Sequence, residues 1–463
     1  MNKTKQPRLN DSTPWLGLYL LAMLCFHPSV VHAAKVNPNT SATTTAEAST
    51  EAMHLGVASC ANSVCHGRAA AVEQGNVLQN EYRTWAKYDN HSRAYAILKN
   101  TDSKRIADNM GIQDASTAAE CLACHADTTP TNLQGAKFHI SDGIGCEVCH
   151  GGAENWIDSH YGANTSTASD NALARHQANL KNGLSPTEDP AFAAKLCQSC
   201  HLGNANQLAN HEMMAAGHPR LRFELDTWLA LMPPHHSNDA DYYQRGKSSL
   251  ATTRWLAGRM QAAQDSLTVL EKHSMPQGLF PELAVFDCHS CHRPMDTRVQ
   301  RPLTDKKLLP AGAIRINDNA LRTIATVVSV RNESLGQELT LAIQQLNQST
   351  VVSKQALQIS SRKLMALVER AIQSMGDSAL NNREQQAITS ALLKQGASGD
   401  VRDYADAEQL FLGLQVLSFD QNNSTNGTQR YDEIFTILSD DKKYNPRQFK
   451  AAVQEALKSA TEN

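Results

Sequence analysis

Beyond His292 the chain contains neither a cysteine nor a histidine, although its 463 residues include 11 of the first and 18 of the second. That asymmetry draws a domain boundary near residue 302, and the length is in any case more than one small core needs. Other scarcities narrow the class. Aromatic residues make up only 5% and the formal charge is −3. With no basic tract and no aromatic-basic run, a nucleic-acid partner has no electrostatic footprint. Strand signals are scarce. The apolar run from Trp15 to Phe26 would rise only about 18 Å as a helix, short of the ~30 Å hydrocarbon core, which argues against an uncleaved membrane anchor.

What the N-terminus does hold is the pattern of an export signal. Lys3, Lys5 and Arg8 precede the apolar run, and Val31-His32-Ala33 places small residues where a signal peptidase cuts. Residues 1–33 read as a signal peptide cleaved near Ala33. Cys25 follows Met-Leu and not the small residue of a lipoprotein signal. Residues 34–53, rich in Ser, Thr and Ala, read as a flexible linker. The expected mature protein is periplasmic, with no stable membrane insertion.

Removing the signal leaves ten cysteines in five close pairs. Four are C-x-x-C-H: Cys121 and Cys124 with His125, Cys146 and Cys149 with His150, Cys197 and Cys200 with His201, Cys288 and Cys291 with His292. This is the attachment signature of c-type haem. Two thiols form thioethers to the porphyrin, and the next histidine is thereby held under the iron as proximal ligand. Zinc imposes no such fifth position, and disulfide frameworks belong mostly to small domains. The fifth pair, Cys60 and Cys65 before His66, sits in CANSVCH with two extra residues. If these bulge outward, His66 keeps its place after Cys65. The pair reads as a stretched fifth haem site, with a Cys60–Cys65 disulfide as the alternative.

Sixth ligands decide whether an iron relays electrons or binds a substrate. The candidates for the distal position are His91 in TWAKYDNHSRAY, His139 just upstream of CEVCH, His160 in NWIDSH, and His211 with His218 in NHEMMAAGHPR. Seven residues on a helix rise about 10 Å, so the last two would serve different irons. His54, His176, His235, His236, His273 and His289 stand in reserve. Glu224 and Asp226 could bond a ligand histidine, though a solvated helix face is the plainer reading, and Arg220 and Arg222 could pair with haem propionates.

The expected fold class is mostly α. Residues 54–302 form a multihaem cytochrome c domain with little regular strand, its short helices broken by low-hydrophobicity connections such as 160–190. A helix is expected from about Tyr242 to Leu270. Residues 303–463 form a C-terminal helical bundle. There Leu364, Leu367, Val368, Ala371, Ile372 and Met375 recur at helical spacing before Gly376 as C-cap, Asn382 with Gln385 suggests a capping box, and Asn445-Pro446 opens the last helix.

The combination of CANSVCHG with TWAKYDNHSRAY, ISDGIGCEVCHGG, CQSCHLG with NHEMMAAGHPRLRFEL, and FDCHSCH resembles the multihaem cytochromes c that contain a tetrahaem c-554-type domain, over roughly residues 54–300. The resemblance implies a helical domain of closely stacked, largely bis-histidine haems. Relatives include carriers of electrons from hydroxylamine oxidation, and the wider superfamily includes reductases of nitrogen and sulfur oxyanions. Five sites instead of four and the added helical region depart from the pattern, and no C-x-x-C-K site occurs. The expected function is electron transfer through five covalently bound haem c groups between redox protein partners. The alternative is an oxidoreductase with one open haem acting on small nitrogen or sulfur compounds, such as hydroxylamine, nitric oxide, nitrite or sulfur oxyanions. A third reading is an assembly subunit docked through its helical tail; packing of that tail on its own haem domain is the plainer account.

Overall fold

The computed structural model describes residues 52–73, 78–161, 170–235, 250–273, 281–292, 309, 313–376, 379–401, 403–422 and 431–461. The expected signal peptide, nearly all of the linker, residues 242–249, the boundary near 302, His236 and the side chain of His289 lie outside them. Residues 51–463 cluster as one compact unit. Among the described residues there is no strand, only two isolated bridges, His54 with Gln134 and Phe286 with Ile316. The fold is mostly α, as the sequence pattern implies.

The cysteine-bearing part is built of short helices: α1 (Glu81–Tyr88), α2 (Ala94–Ile97), α3 (Thr101–Met110), α4 (Ala119–His125), α5 (Cys146–His150), α6 (Ile157–Tyr161), α7 (Asp170–Lys181), α8 (Pro190–His201), α9 (His211–Ala216) and α10 (Leu225–Leu231). Several are too short to persist alone, since nucleating a helix fixes more backbone than its first bond returns. Local caps help. Asn100 accepts from the Ser103 amide ahead of α3, Asp189 caps α8 with Pro190 in the first turn, and Asn210 accepts from the Met213 amide ahead of α9. The stretch 160–190 is not the bare connection expected: α7 fills part of it, and the hydroxyl of Ser159 donates to buried Asn179 at 2.7 Å.

Apolar packing in this part is thin. Ala193, Ala194, Phe223 and Leu225 make one small cluster and Leu98, Ala107 and Ala115 another. The large core lies elsewhere, in α11 (Ala251–His273), α12 (Asn319–Arg331), α13 (Glu333–Ser349), α14 (Lys354–Met375), α15 (Asn382–Ser398), α16 (Tyr404–Asn422), α17 (Asp432–Ile437) and α18 (Pro446–Thr461). One continuous cluster runs from Ala251 to Ala456, with Trp255, Leu267, Ile324, Leu346, Leu364, Ile388, Leu414 and Phe449 all deeply buried. Helix α11 precedes residue 302 in sequence yet packs in this core beside α12, α14 and α16.

The helical periodicities translate directly into burial. Leu364, Val368, Ala371 and Met375 line the inner face of α14, which stops at Gly376. The capping box falls one residue earlier than the sequence suggested: the Asn381 side chain accepts from the Glu384 amide and the Glu384 carboxylate accepts from the Asn381 amide. Asn445 caps α18, accepting from the Arg447 amide at 2.9 Å.

Under the core runs a chain of buried charge. Asp318 accepts from Arg315 at 2.7 Å, Arg322 at 2.9 Å and the Asn347 amide at 2.8 Å. Burial alone would raise the Asp318 pKa, but the two guanidinium groups hold it below the usual carboxylate range. Arg322 also pairs with Asp406, whose pKa burial pushes up to about 6. Arg259 reaches from α11 to Gln409 at 2.6 Å and to Asn319, and burial brings its pKa down to about 10.

Because Leu346 is fully buried at the centre of this core, truncation to alanine leaves a cavity. Leu346→Ala is expected to lower unfolding stability by about 2–5 kcal/mol. Denaturant melts followed by far-ultraviolet circular dichroism measure the loss, and no change in midpoint would contradict the packing described.

Candidate functional site

Four of the five Cys-His motifs sit at helix ends or make up a whole helical turn. Cys121–His125 close α4, Cys146–His150 are α5, and Cys197–His201 close α8. Cys288 opens a 3-10 turn, and the His292 amide bonds to the Cys288 carbonyl at 2.7 Å. A helical turn is what the motif needs, because it puts the histidine four residues after the first cysteine on the same side.

The stretched motif reaches the same closure by another route. Although His66 follows Cys60 by six positions, its amide still bonds to the Cys60 carbonyl, at 3.2 Å. The two added residues go into an exposed bulge, where the Asn62 side chain accepts from the Val64 amide at 3.0 Å and the Asn62 carbonyl accepts from Cys65 and Gly67, each at 2.9 Å. Val64 is 75% exposed. A side chain at Gly67 would meet the Ala61 carbonyl oxygen at 1.9 Å, so glycine is required where the bulge folds back. Cys60 and Cys65 are free thiols, as are the other eight described cysteines.

Each histidine that follows a cysteine pair faces a second histidine. His66 stands opposite His160 with ring centres 6.0 Å apart, and His125 opposite His218 at 6.5 Å. His150 faces His235 at 6.4 Å, His201 faces His91 at 5.9 Å, and His292 faces His211 at 6.2 Å. Two imidazoles bound to opposite sides of one metal, at bond lengths of about 2.0–2.1 Å and with each ring centre about 1.1 Å beyond its nitrogen, have centres roughly 6.3 Å apart. All five pairs carry that spacing. The ring planes differ: they cross at 26° in the His66 pair and 33° in the His292 pair, but at 86°, 83° and 81° in the His201, His125 and His150 pairs.

Of the candidates for the distal position, His91, His160, His211 and His218 are brought to a following-histidine partner. His139 is not. It stands at the start of a 3-10 turn beside Asp142, and the position opposite His150 is taken by His235, one of the reserve. His235 follows two prolines after α10, with no local signal to mark it. His211 and His218 serve different partners, but not along one helix: Gly217, at φ 115°, ends α9 in the left-handed conformation and turns His218 away. Three others have polar partners instead. His54 Nδ1 lies 2.7 Å from Asp127, His176 Nε2 lies 2.6 Å from Glu188, and His273 Nε2 donates to the Ala205 carbonyl at 3.0 Å.

The remaining ring nitrogen of several paired histidines is anchored. His66 Nδ1 bonds to Glu81 at 2.9 Å and His91 Nδ1 to Asp89 at 2.9 Å, while His125 Nδ1 donates to the Ala94 carbonyl at 3.1 Å and His218 Nδ1 to that of Pro219 at 2.8 Å. An Nδ1 engaged in this way fixes the tautomer and leaves Nε2 to face the space between the rings. His201 also stacks on Phe223 at 5.0 Å and lies tilted at 40° against Trp228 at 5.4 Å.

Glu224 and Asp226 take neither role considered from the sequence. Glu224 is buried and caps α10, accepting from the Asp226 and Thr227 amides, and Asp226 pairs with Arg254. Arg222 pairs with Glu408 at 3.4 Å and lies 5.3 Å from the Tyr404 ring centre.

Thiols of different motifs meet. Cys146 lies beside Cys60, an interaction that lowers the Cys60 pKa and raises that of Cys146, and Cys124 lies beside Cys200, which brings Cys200 down to about 6. Burial raises Cys149 to about 12, helped by the nearby thiols of Cys197 and Cys200. The first motif thus abuts the third, the third the fourth, and the fourth the second. Side-chain bonds hold this contact, above all from Glu147 inside CEVCH. Its buried carboxylate accepts from the amides of Leu55 and Gly56, each at 2.7 Å, and of Ala153 at 2.8 Å, tying the approach to the first motif onto the third. The spacing pattern of the motifs gave no hint of this residue.

Residues 59–151 match the family model described as Cytochrome c554 and c-prime. The matched stretch spans the first three motifs, and it supports a c-554-type cytochrome domain there, a c-type cytochrome working in electron transfer with covalently bound haem c. No curated protein and no solved structure matches the chain.

Glu147→Ala removes a charged acceptor from three amides. Hydrogen bonds to charged groups contribute about 1.5–3 kcal/mol each, so a loss of about 3 kcal/mol or more is expected. Faster amide hydrogen exchange at Leu55, Gly56 and Ala153, with distant helices such as α15 unchanged, would show that the loss is local.

Proposed function

We propose that this chain is a periplasmic pentahaem c-type cytochrome that relays electrons between redox protein partners through five irons, each held by two histidines. The observation that carries the reading is the spacing of the five imidazole pairs, each uniting the histidine of a Cys-His motif with one distant in sequence. The axial couples are His66 with His160, His125 with His218, His150 with His235, His201 with His91, and His292 with His211.

Haem c supplies a one-electron Fe(III)/Fe(II) couple at each site. The cysteines fasten it, the paired imidazoles hold the iron low-spin and close both faces to exogenous ligands, and the thin packing around them is consistent with porphyrins filling the interior. Zinc would draw its four donors from the protein. Among the described residues no group of three or more His, Cys, Asp or Glu is placed to hold a metal ion, whereas two axial imidazoles suffice when a macrocycle supplies the rest.

Thiol contacts order the sites as first, third, fourth, second. The fifth joins the second through the segment 211–218, whose two end histidines belong to these two couples. Electrons entering near either end would pass between neighbouring porphyrin edges without diffusing. An open-haem reductase has no support from this arrangement, since every motif histidine has an opposing ring. The N-terminal pattern supports export, and among the described residues no helix is long and apolar enough to cross a membrane.

The test is an intact mass and a low-temperature electron paramagnetic resonance spectrum of the secreted protein. Five haems and no high-spin signal are expected. Near-parallel imidazoles act on one iron d orbital and split the pair, while perpendicular ones act on both alike and leave them nearly degenerate. Two rhombic low-spin signals and three strongly anisotropic ones should therefore appear, from the 26° and 33° couples and from the 81–86° couples. A bare polypeptide mass, or a high-spin iron, refutes the reading.

His235→Ala is expected to convert one iron to the high-spin state and open it to cyanide, while His139→Ala leaves the spectrum unchanged. The reverse result would restore His139 as the partner of His150.

A further inference from the structure

The axial histidines differ in what receives their second nitrogen. In the first couple His66 donates to Glu81, and in the fourth His91 donates to Asp89, both carboxylates. In the second couple His125 and His218 both donate to peptide carbonyls, those of Ala94 and Pro219. The two carboxylates are well shielded, with side-chain exposures of 15% for Glu81 and 10% for Asp89, so solvent screens their charge little.

Both are also held in place. The second oxygen of Glu81 accepts from the Gln79 amide at 3.1 Å, and Gln79 adopts φ 58°, a left-handed conformation uncommon outside glycine. Asp89 caps the 3-10 turn Asn90–Arg93 and accepts from the His91 amide at 2.9 Å as well as from its ring. Ligand and carboxylate are thus locked as one unit in each case.

A carboxylate bonded to Nδ1–H draws the proton toward itself and raises the basicity of Nε2. A more basic Nε2 favours the more positive iron, and the nearby negative charge does so too. A carbonyl dipole has a much weaker effect. We propose that Glu81 and Asp89 are potential-setting residues that hold the first and fourth irons at lower potential than the second iron. This rests on the bis-histidine reading above. One electron then passes from a ferrous iron of the first or fourth couple to the ferric iron of the second. No proton accompanies it, because each Nδ1–H stays bonded to its acceptor. The second couple, at the junction with the fifth, therefore fills before the first and fourth.

The experiment uses the complete holoprotein, titrated spectroelectrochemically while paramagnetic resonance follows each low-spin signal. His218→Ala, which turns the second iron high-spin, assigns that iron's wave. Glu81→Gln is expected to shift one midpoint upward by about tenfold in the reduction equilibrium, about 59 mV for one electron. Asp89→Asn should shift a different one by a similar amount, and Glu81→Asp, which keeps the charge, should return most of the first shift. The second iron's midpoint should stay put and lie above both. Unmoved midpoints in Glu81→Gln and Asp89→Asn proteins that keep five low-spin haems overturn the proposal, as does a second iron reduced after the first and fourth. A wild-type protein with fewer haems or a high-spin iron defeats instead the ligation reading beneath it. If Glu81→Gln does not load its haem, Asp89→Asn decides alone.

Discussion

On the proposed reading, the N-terminal part of this chain is organised around a geometric demand: two imidazoles from remote segments share one axis, and the five facing pairs have ring centres about 6 Å apart. That demand explains features a conventional core would not. Helices of four to eight residues recur, buried aliphatic side chains are few, and the two apolar clusters are small. Short helices without an apolar face to bury need another source of order. On the proposed reading, covalent and coordinate bonds supply it, and each axial couple closes a long loop whose entropic cost grows only slowly with its length.

Electrostatics then separates sites that share one geometry. The residues beside the histidines are not interchangeable: Glu81 and Asp89 bring a full negative charge, and Ala94 and Pro219 bring only a carbonyl. The same distinction between structural and tuning carboxylates holds nearby. Glu147 sits inside a motif, yet its carboxylate accepts from three backbone amides, which makes it a fastener between the first and third motifs. Glu224 likewise spends its charge on a helix N-terminus. Position beside a motif is therefore a poor guide to role, and the hydrogen-bond partner is a good one.

How much was legible in the sequence follows from how local each constraint is. The motif histidines could be singled out because, on the proposed reading, thioether attachment fixes their distance from the cysteines along the chain. The opposing histidines obey no such rule, since any segment that reaches the axis will serve. Four of them stood in distinctive contexts, but His235 in MPPHH looked no better than His54 or His176, and His139 gained weight merely from lying near CEVCH. The bundle was legible because a helix face repeats in sequence, as Leu364, Val368, Ala371 and Met375 do. Gly376 and Asn445 cap where the sequence placed them, but the capping box was readable only to within a residue, since Asn381 and Asn382 are chemically alike and the neighbouring turn chooses between them. The alliance of α11 with the bundle was hidden, because the Cys-His count says where cofactors would attach and nothing about which helices share a core.

That alliance bears on what the bundle is for. Gln198, inside the fourth motif, donates to the Gly258 carbonyl on α11 at 2.8 Å, so the motif is keyed into a helix anchored by the large core. Around the fifth couple, Glu282 accepts from the His211 and Ala284 amides, bridging the segments that carry its two histidines. The Asp287 amide, one residue before Cys288, bonds to the Arg315 carbonyl at 2.8 Å, and Arg315 is itself clamped by buried Asp318 at the head of α12. The matched family stretch ends at residue 151, before the fourth motif begins. The bundle thus braces the motifs furthest from that stretch, and its rigidity matters most where the fifth motif, carried on a 3-10 turn and not on a helix, has least regular structure of its own. A helical appendage that merely followed the Cys-His region in sequence would have no reason to send its buried charge network to within one peptide of Cys288, the first cysteine of the fifth motif.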